Sequence, residues 1–319
     1  MNYHPDQTPT KKDILKAAIR IGQYIHKTPV LTSENLNSIF GCQLYFKCEN
    51  LQKAGAFKSR GAVNTVFSLN ENDVISGVCT HSSGNHAAAL SRAASLKGIV
   101  AHIVMPEDSS KVKISAVKHY GGKITFCKPT LASRETALIK VIEKTAALEV
   151  HPYNDPRIIA GQATAAMEMF GEIDPLDIIM APVGGGGLLS GTALAANYFS
   201  DKTKVIAAEP EQADDAFQSF KANTFYPSVN PNTIADGLRT SLGSLTFPII
   251  QKYVDDIVTV SEKGIVEAMK LIWERMKIIV EPSSAVPLAA ILEKKFDCPG
   301  KKIGIIISGG NVDLNALPW

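Results

Sequence analysis

Short apolar runs rich in β-branched residues alternate along this chain with longer stretches whose apolar positions recur at helical spacing. From residue 74, the run VISGVCTHSS is followed by the helix-like NHAAALSRAASLKG, then by the run IVAHIVMP and the periodic SSKVKISAVKHYGG. This first series covers about residues 77–152, and a second series containing DIIMAPVGG, KVIAAEP, DDIVTVS and KIGIIISGG follows it. Strands that alternate with helices of about 10–15 residues indicate βαβ units, so we predict an α/β fold with mostly parallel, twisted sheets.

The carboxyl ends of the predicted strands carry the polar and glycine-rich clusters of the chain. The runs IIMAPV and IGIII are continuously apolar, which is typical of strands buried on both faces of a parallel sheet. The clusters SSGNH, VGGGG, AEP and SGGN each follow a predicted strand. Ligands of open α/β sheets bind at the carboxyl ends of the strands. We therefore expect the functional site where these clusters meet.

Composition and charge narrow the function classes. The 319 residues are 45% hydrophobic and 20% charged, close to the average of soluble globular proteins, and the formal net charge is only +2. This balance predicts no nucleic-acid partner and no acidic lipid partner, and no apolar run reaches the length of a membrane span. Five cysteines without a CxxC pair, together with a polar amino terminus that lacks the apolar stretch of a secretory signal, predict a cytoplasmic protein with reduced thiols.

A run of four glycines, Gly184 to Gly187, stands between a predicted strand and a predicted helix. Glycines expose consecutive backbone N–H groups, and the start of a helix adds its positive dipole end, so together they can bind a phosphate. The other interpretations are a tight turn without a ligand and a dinucleotide site, the latter supported by Glu209 at the end of the next strand. Leu189 and Ser190 stand where the last glycine of a GxGxxG pattern belongs. A compact phosphate monoester therefore fits this loop better than a dinucleotide.

Three further polar groups are candidates for chemistry. Lys58 in GAFKSRGA can form an imine with an aldehyde cofactor, although an isolated lysine is more often a surface residue. The stretch from Ser82 to His86 offers hydroxyls, an amide and helix N–H groups to a carboxylate, or else simply caps the helix. Ser308 in SGGN ends a buried strand and either meets a ligand or belongs to a simple turn. Their occurrence together with a phosphate loop favours the functional interpretation.

Four motifs, FKCENLQKAGAFKSRGA, THSSGNHAAAL, PVGGGGLLSG and IISGGNVDL, occur in an order and at separations that resemble the fold type II pyridoxal-phosphate enzymes. The likeness covers nearly the whole chain, and within the family it is greatest to serine racemases and next to threonine/serine dehydratases. It implies the tryptophan synthase β-like fold, with two three-layer domains and the active site between them. The large domain would comprise residues 1–67 and 155–319, and the small domain residues 77–152. The resemblance also implies a homodimer that acts on a small amino acid such as serine.

The resemblance assigns the cofactor, pyridoxal 5′-phosphate, to particular residues. Lys58 would carry the cofactor as a Schiff base, and Phe57 would pack against its ring. Asn85 would hydrogen-bond the phenolic oxygen, and Ser308 would meet the pyridine nitrogen. The phosphate would be held by the backbone N–H groups of Gly184, Gly185, Gly186, Gly187 and Leu188. Unlike a carboxylate, a serine hydroxyl cannot keep the pyridine protonated, so the electron sink is weaker and elimination of a β-hydroxyl competes.

The implied reaction is racemisation of L-serine to D-serine, with concurrent β-elimination of serine to pyruvate and ammonia. Racemisation requires proton transfer on both faces of the α-carbon, and the resemblance places Lys58 on one face and Ser83 on the other. A bare serine is a poor base near neutral pH, so the site must lower the pKa of Ser83 or couple its hydroxyl to the cofactor phosphate. The residues implied to hold the substrate are Ser82, Ser83, His86 and Arg134.

Two further sites follow from the resemblance. In AEPEQADD, Glu209, the carbonyl of Ala213 and Asp215 match the divalent-cation ligands of serine racemases. Oxygen ligands suit Mg²⁺, Ca²⁺ or Mn²⁺, although an acidic turn without a metal is the simpler interpretation of this segment taken alone. The residues that match the nucleotide-effector site of mammalian serine racemases are Ser33, Lys53, Tyr120, Lys277 and Asn311.

The chain also departs from the mammalian pattern. Glu34, Ala54 and Ala88 replace residues that help to bind ATP, and Glu34 would put a negative charge near a polyphosphate. ATP as an allosteric effector is therefore a hypothesis. Tyr153 stands where those racemases carry an asparagine beside the cofactor, which puts that contact in question.

Alternative functions stay open on sequence alone. A pure L-threonine/L-serine dehydratase shares every motif except the need for Ser83 as a second base. An aspartate racemase of this family commonly shows a serine run where this chain has Tyr153, Asn154 and Asp155. An NAD-dependent oxidoreductase is disfavoured by the broken glycine pattern.

Overall fold

The computed structural model describes residues 7–82, 84–173, 175–200 and 202–319. The strands of this part of the chain are β1 (Val30–Thr32), β2 (Gln43–Cys48), β3 (Val78–His81), β4 (Ala101–Pro106), β5 (Lys123–Cys127), β6 (Leu148–Glu149), β7 (Ile178–Pro182), β8 (Lys204–Pro210), β9 (Asp256–Val260) and β10 (Lys302–Ile307). They form a large sheet of six strands in the order β1-β2-β10-β7-β8-β9 and a small sheet of four strands in the order β5-β4-β3-β6. Strand β1 pairs antiparallel with β2, and the other neighbouring strands are parallel.

Helices connect these strands, as the alternating pattern predicts. Those described are α1 (Lys11–Ile21), α2 (Glu34–Phe40), α3 (Lys58–Ser68), α4 (Asn85–Lys97), α5 (Lys111–His119), α6 (Leu131–Thr145), α7 (Pro156–Glu172), α8 (Gly187–Phe199), α9 (Asp215–Ala222), α10 (Thr246–Tyr253), α11 (Glu262–Met276) and α12 (Pro282–Leu292). The prediction of an α/β fold with mostly parallel sheets is confirmed. Between α9 and α10 the chain is irregular except for a short 3₁₀ turn, Asp236–Leu238.

The large sheet is buried on both faces because neighbouring residues of its strands point to opposite sides. In β10, Ile305 belongs to a core with α11 and α12, whereas the adjacent Ile306 belongs to a core with α7, α8 and α10. Met180 and Ile179 of β7 divide in the same way. A strand with apolar neighbours on both faces has to be continuously apolar, as IGIII and IIMAP are.

The small sheet also has a core on each face. Val78, Ile103 and Met105 pack with α3 and α4 on one face. Cys79 and Val104 pack with α6 on the other. Within the described residues, no helix combines the length and the apolar character needed to cross a membrane.

A buried group of charges ties α3 to α7 beneath the site. The Arg60 guanidinium pairs with Glu49 (Nε to Oε2, 2.7 Å) and with Glu168 (Nη1 to Oε1, 2.7 Å). Lys47 Nζ lies 2.8 Å from the other oxygen of Glu168. Two cations thus meet two carboxylates with almost no exposure to water. This network sets the position of α3, whose first residue is Lys58.

Candidate active site

Lys58 directly follows a segment that is hydrogen-bonded to the end of β10. The backbone N–H of Phe57 donates to the Ser308 carbonyl (3.0 Å), and Ala56 forms a β-bridge with Gly309. These contacts bring together two predicted cofactor residues that lie near opposite ends of the chain. They meet at the carboxyl end of β10, and ligands of open α/β sheets bind at the carboxyl ends of the strands.

The amine of Lys58 is held where it can react as a neutral nucleophile. Its Nζ donates a hydrogen bond to the Pro152 carbonyl (2.8 Å) and lies 5.1 Å from the centre of the Phe57 ring. Burial lowers the pKa of Lys58 to about 8, although the Glu281 carboxylate acts in the opposite direction. The larger neutral fraction favours imine formation with an aldehyde.

The glycine run joins β7 to α8 and has no room for side chains. Gly186 has a φ of +85°, a left-handed conformation that favours glycine. A Cβ on Gly184 would lie 2.8 Å from the Cα of Leu238, and one on Gly187 would lie 2.8 Å from the Cβ of Tyr153. The first N–H groups of α8 have no partner within the helix. Bare backbone at a helix start fits the phosphate of a cofactor.

Asn85 begins α4, and its amide group is oriented from both sides. Nδ2 donates to Glu281 Oε1 (2.7 Å), and Oδ1 accepts a hydrogen bond from Asn311 Nδ2 (3.0 Å). Asn311 Nδ2 also lies 2.8 Å from the carbonyl oxygen of Ala54. The amide is therefore fixed at the positive end of α4, which suits an anionic or phenolic oxygen.

Ser308 ends β10 with a buried, uncharged hydroxyl. Its Oγ lies 2.9 Å from Ser284 Oγ. The Ser284 hydroxyl also donates to the Gly309 carbonyl (2.6 Å) and accepts the N–H of Gly309 (2.8 Å). No charged side chain of the described chain hydrogen-bonds to either hydroxyl. This position therefore lacks the negative charge that would keep a heteroaromatic nitrogen protonated.

Three imidazoles in this region are uncharged near neutral pH. Burial, followed by the charge of Lys58, lowers the pKa of His86 well below its usual value. Burial also lowers the pKa of His151 to about 4 and depresses that of His81. Only His86 is among the residues that the sequence analysis selected. Neutral imidazoles can donate and accept hydrogen bonds but add no fixed charge.

His151 fixes the loop that carries the hydrogen-bond acceptor of Lys58. Its Nδ1 accepts the backbone N–H groups of Tyr153 (3.3 Å) and Asn154 (2.9 Å), so its proton lies on Nε2. Pro152, whose carbonyl binds Lys58, lies inside this loop. His151 is not among the residues predicted from the sequence. The signal that could have found it is its place one residue after the short strand β6, since other site residues also follow strands.

The predicted substrate residues are only partly described. Ser82 Oγ accepts the N–H of Gly84 (3.3 Å) at the entrance to α4. Arg134 Nε is buried and has no hydrogen-bond partner among the described residues. The positive charge of Arg134 adds to burial in lowering the pKa of His81. The predicted second base, Ser83, lies outside the described residues.

Tyr153 forms one wall of the glycine loop. A Cβ on Gly185 would lie 2.4 Å from the Tyr153 ring, and the tyrosine hydroxyl is 3.1 Å from Thr240 Oγ1. The Tyr153 ring also meets the His151 ring edge-on, with 4.6 Å between the centres. The side chain that departs from the mammalian pattern is therefore a packing partner of the phosphate loop in this protein.

The predicted metal ligands lie together at the end of β8. Glu209 accepts the N–H groups of Ala216 (3.1 Å) and Phe217 (2.8 Å). Both carboxylate oxygens of Asp215 are buried and make no hydrogen bond within the described chain. Burial raises the pKa of Asp215 to about 7 and that of Glu209 well above its usual value. Two buried carboxylates beside the backbone of Ala213 fit a hard divalent cation that takes oxygen ligands.

The predicted nucleotide residues make no hydrogen bonds to one another in the described chain. Lys53 and Ala54 share one short turn, which Asn311 contacts through the Ala54 carbonyl. Tyr120 packs in the same apolar cluster as Ala54 and Ala88. Ser33 caps α2 and Lys277 ends α11, and neither hydrogen-bonds to Lys53, Tyr120 or Asn311 in the described chain. A nucleotide site at these residues stays a prediction.

An imine-forming amine beside a phosphate loop is what a phosphorylated aldehyde cofactor requires. The two mostly parallel sheets and this site define the class of fold type II pyridoxal-phosphate enzymes. Comparison with known proteins agrees. A family model described as pyridoxal-phosphate dependent enzyme matches residues 21–309, and the chain belongs to this family. The NAD-dependent oxidoreductase that the glycine run left open is therefore set aside.

Individual relatives are similar over nearly their whole lengths. The β-hydroxyaspartate dehydratase of Paracoccus denitrificans is 51% identical over 98% of this chain and 99% of its own length. The serine racemase of Dictyostelium discoideum is also 51% identical, over 98% of each chain. The structure of maize serine racemase matches with a TM-score of 0.94 and 46% identity, and covers 97% of this chain and 95% of its own. The predicted fold and family are confirmed.

Proposed function

We propose that this enzyme interconverts L-serine and D-serine and, at the same site, converts serine to pyruvate and ammonia by β-elimination. The observation that carries the proposal is that Lys58, whose pKa is about 8, directly follows a residue hydrogen-bonded to Ser308, and that Ser308 brings an uncharged hydroxyl to the same strand end. With a hydroxyl in this position, the cofactor would be a weaker electron sink than with a carboxylate. Return of the α-proton and loss of the β-hydroxyl would therefore compete. Similarity to serine racemases supports the assignment.

The chain offers a specific set of groups to the cofactor. When bound, pyridoxal phosphate supplies an electron sink for the bond that breaks at the α-carbon. We assign its phosphate to the backbone N–H groups between Gly184 and Leu188, at the start of α8. Phe57 would pack against the ring, Asn85 would bind its phenolic oxygen, and Ser308 would meet its ring nitrogen.

Two bases on opposite faces would move the α-proton. Lys58 is the first, because its buried amine titrates near neutral pH. Ser83 is the second. Arg134, Ser82 and the neutral imidazole of His86 would hold the substrate carboxylate, and the unpartnered Nε of Arg134 supports this role.

Further parts of the proposal concern sites and assembly around this centre. Glu209, Asp215 and the carbonyl of Ala213 bind Mg²⁺, Ca²⁺ or Mn²⁺, as their buried oxygens favour. The chain has a large domain of residues 1–67 and 155–319 and a small domain of residues 77–152, and it works as a cytoplasmic homodimer. ATP is an effector, and the residues proposed to bind it are Ser33, Lys53, Tyr120, Lys277 and Asn311.

A dehydratase that acts on β-hydroxyaspartate is the second candidate. The similarity to the Paracoccus denitrificans enzyme, at 51% identity, favours it. β-Hydroxyaspartate carries a second carboxylate, and in this candidate the buried N–H group of Arg134 would bind that carboxylate, which leaves the α-carboxylate to Ser82 and His86. An L-threonine/L-serine dehydratase and an aspartate racemase remain alternatives in the same family.

One assay distinguishes these functions. The enzyme is incubated in separate tubes with L-serine, L-threonine, L-aspartate and β-hydroxyaspartate, and each tube is analysed by chiral chromatography and for keto acids. We expect D-serine and pyruvate to form together from L-serine. Pyruvate without D-serine would identify a dehydratase. A kcat/KM for oxaloacetate formation from β-hydroxyaspartate far above that for serine would favour the second candidate.

A further inference from the structure

An ion pair joins the two proposed domains beside the active site. Lys113 lies on α5 of the small domain, and its Nζ pairs with a carboxylate oxygen of Asp236 in the irregular segment of the large domain. The Lys113 side chain is only 9% exposed, whereas that of Asp236 is 43% exposed. The lysine is therefore an almost buried cation whose ion-pair partner comes from the other domain.

On the small-domain side, Lys113 packs against the entrance to α4. A Cβ on Gly84 would lie 3.1 Å from Cδ and 3.3 Å from Nζ of Lys113. Gly84 directly precedes Asn85 and donates its N–H to Ser82. The position of the Lys113 side chain therefore limits where Gly84 and the first turn of α4 can lie. We call this segment, residues 84–88, the α4 entry loop.

On the large-domain side, Asp236 begins a turn that rests on the phosphate loop. The N–H of Gly237 donates to Ser283 Oγ (3.2 Å) at the start of α12. Leu238 Cα lies 2.8 Å from where a Cβ on Gly184 would be. The ion pair thus connects the α4 entry loop to the glycine loop through a turn that is itself fixed.

Lys113 keeps its charge in this position. Burial alone would lower its pKa, but the carboxylates of Asp236 and Glu281 outweigh burial and raise the pKa above its usual value. Removal of Asp236 would leave a nearly buried cation without its ion-pair partner, and such a cation tends to move towards water. Movement of Lys113 would release the contact with Gly84.

We propose that the Lys113–Asp236 pair is an interdomain latch that holds the α4 entry loop in its substrate-binding position. Lys113 is then a positioning residue for the reaction, because it acts through the loop and not on the substrate. The kinetic part of the test rests on the proposed amino-acid substrate. The exchange part does not.

The kinetic test compares Lys113→Gln, Asp236→Asn and the double variant in the full-length holoenzyme. We expect each single variant to raise the KM for serine roughly tenfold, with a smaller change in kcat, because the loop is displaced before substrate binds. The double variant should raise the KM by the same factor of about ten, and not by the product of the two single factors, since both changes break one interaction. Asp236→Glu, which keeps the charge, should restore the KM to within about threefold of wild type.

A matched control uses the ion pair of Lys221 and Asp256. Their Nζ–Oδ1 distance is 2.7 Å, both residues belong to the large domain, and the side chains are 49% and 40% exposed. Lys221→Gln and Asp256→Asn should leave the KM unchanged within about twofold, because exposed pairs contribute little.

Hydrogen exchange tests the latch without any substrate. In Lys113→Gln and Asp236→Asn, amide exchange should become faster at residues 84–88 and 236–238 and stay the same at residues 256–260. A wild type that turns over no β-hydroxy amino acid would refute the proposed function and leave this exchange test intact. Unchanged exchange at residues 84–88 would overturn the latch. A rise in KM in the double variant equal to the product of the two single rises would overturn it as well. If Lys113→Gln does not fold, Asp236→Asn, which alters the exposed partner, decides the question.

Discussion

The reactivity of Lys58 depends on where the fold holds its amine. Buried beside Phe57 and bonded to the Pro152 carbonyl, it has a pKa of about 8, whereas a lysine in water titrates above 10. The Glu281 carboxylate prevents a larger fall. A cation of permanent charge, such as arginine, could occupy this place but could not form an imine.

We expect Lys58→Ala to lose all turnover of serine, because the imine cannot form and one base is removed. Treatment with borohydride followed by denaturation should leave the cofactor covalently attached to wild type but not to the variant. Lys58→Arg should behave like Lys58→Ala. Lys118→Ala, a change at an exposed lysine of α5, is the control and should keep the covalent cofactor. Covalent cofactor in Lys58→Ala would contradict the assignment.

Ser83 carries the sharpest prediction about racemisation. In Ser83→Ala, Lys58 still removes the α-proton of L-serine and the β-hydroxyl still leaves, so pyruvate formation from L-serine should persist. Proton transfer on the opposite face should fall by about 10²–10⁴-fold. Chiral chromatography should therefore find no D-serine formed from L-serine, and D-serine should yield no pyruvate. Formation of D-serine at a rate near that of wild type would refute the two-base proposal.

At the scale of elements, α3 holds Lys58 because its own side chains are tied to neighbouring segments. Arg60 pairs with Glu49 after β2 and with Glu168 of α7, and Gly61 accommodates the close approach of Gln162. The network is satisfied only when all partners are present. A buried ion pair stabilises little overall, but the loss of one partner leaves a buried charge uncompensated.

Arg60→Met is therefore expected to lower the free energy of unfolding by about 3–5 kcal/mol, because Glu49 stays buried without its partner. Urea denaturation followed by circular dichroism measures this change. Lys263→Met is the matched control, since its pair with Glu267 is exposed and spans 3.8 Å. The control should change stability by less than about 1 kcal/mol. Equal losses of stability in Arg60→Met and Lys263→Met would mean that burial of the network does not add to its effect on stability.

At the scale of the whole molecule, the proposed cation links the end of β8 to α9. Glu209 and Asp215 are both buried, and burial, together with the charge of Asp215, raises the pKa of Glu209. A divalent cation would supply that charge and join the strand to the helix that follows it. Removal of the cation should therefore lower the stability of the fold without directly releasing the cofactor.

Chelation of divalent cations is expected to lower the Tm of the holoenzyme, and addition of Mg²⁺ or Ca²⁺ should restore it. Asp215→Asn should abolish the response to added cation, because one oxygen ligand loses its charge. Asp256→Asn, at an exposed carboxylate, should leave the response intact. A Tm that is the same with chelator, Mg²⁺ and Ca²⁺ would remove the metal from the proposal.

Features that depend on residues close together in the chain could be predicted from the amino-acid sequence. The alternation of strands and helices, the parallel character of the sheets and the bare phosphate loop at Gly184 to Gly187 all follow from periodicity and residue type within short windows. Strand ends also identified Asn85 and Ser308 as candidates. The roles of Lys58 and Ser83 came from resemblance to a family, because an isolated lysine or serine carries no such information.

Contacts between distant segments could not be predicted in this way and are seen in the folded chain. No local pattern places β10 between β2 and β7, which is what brings Ser308 beside Lys58. Tyr153 against the glycine loop and Lys113 against Asp236 are likewise contacts between segments far apart in the chain. The physical reason is that periodicity reports which face of an element is buried, whereas the choice of its partner depends on packing summed over the whole fold.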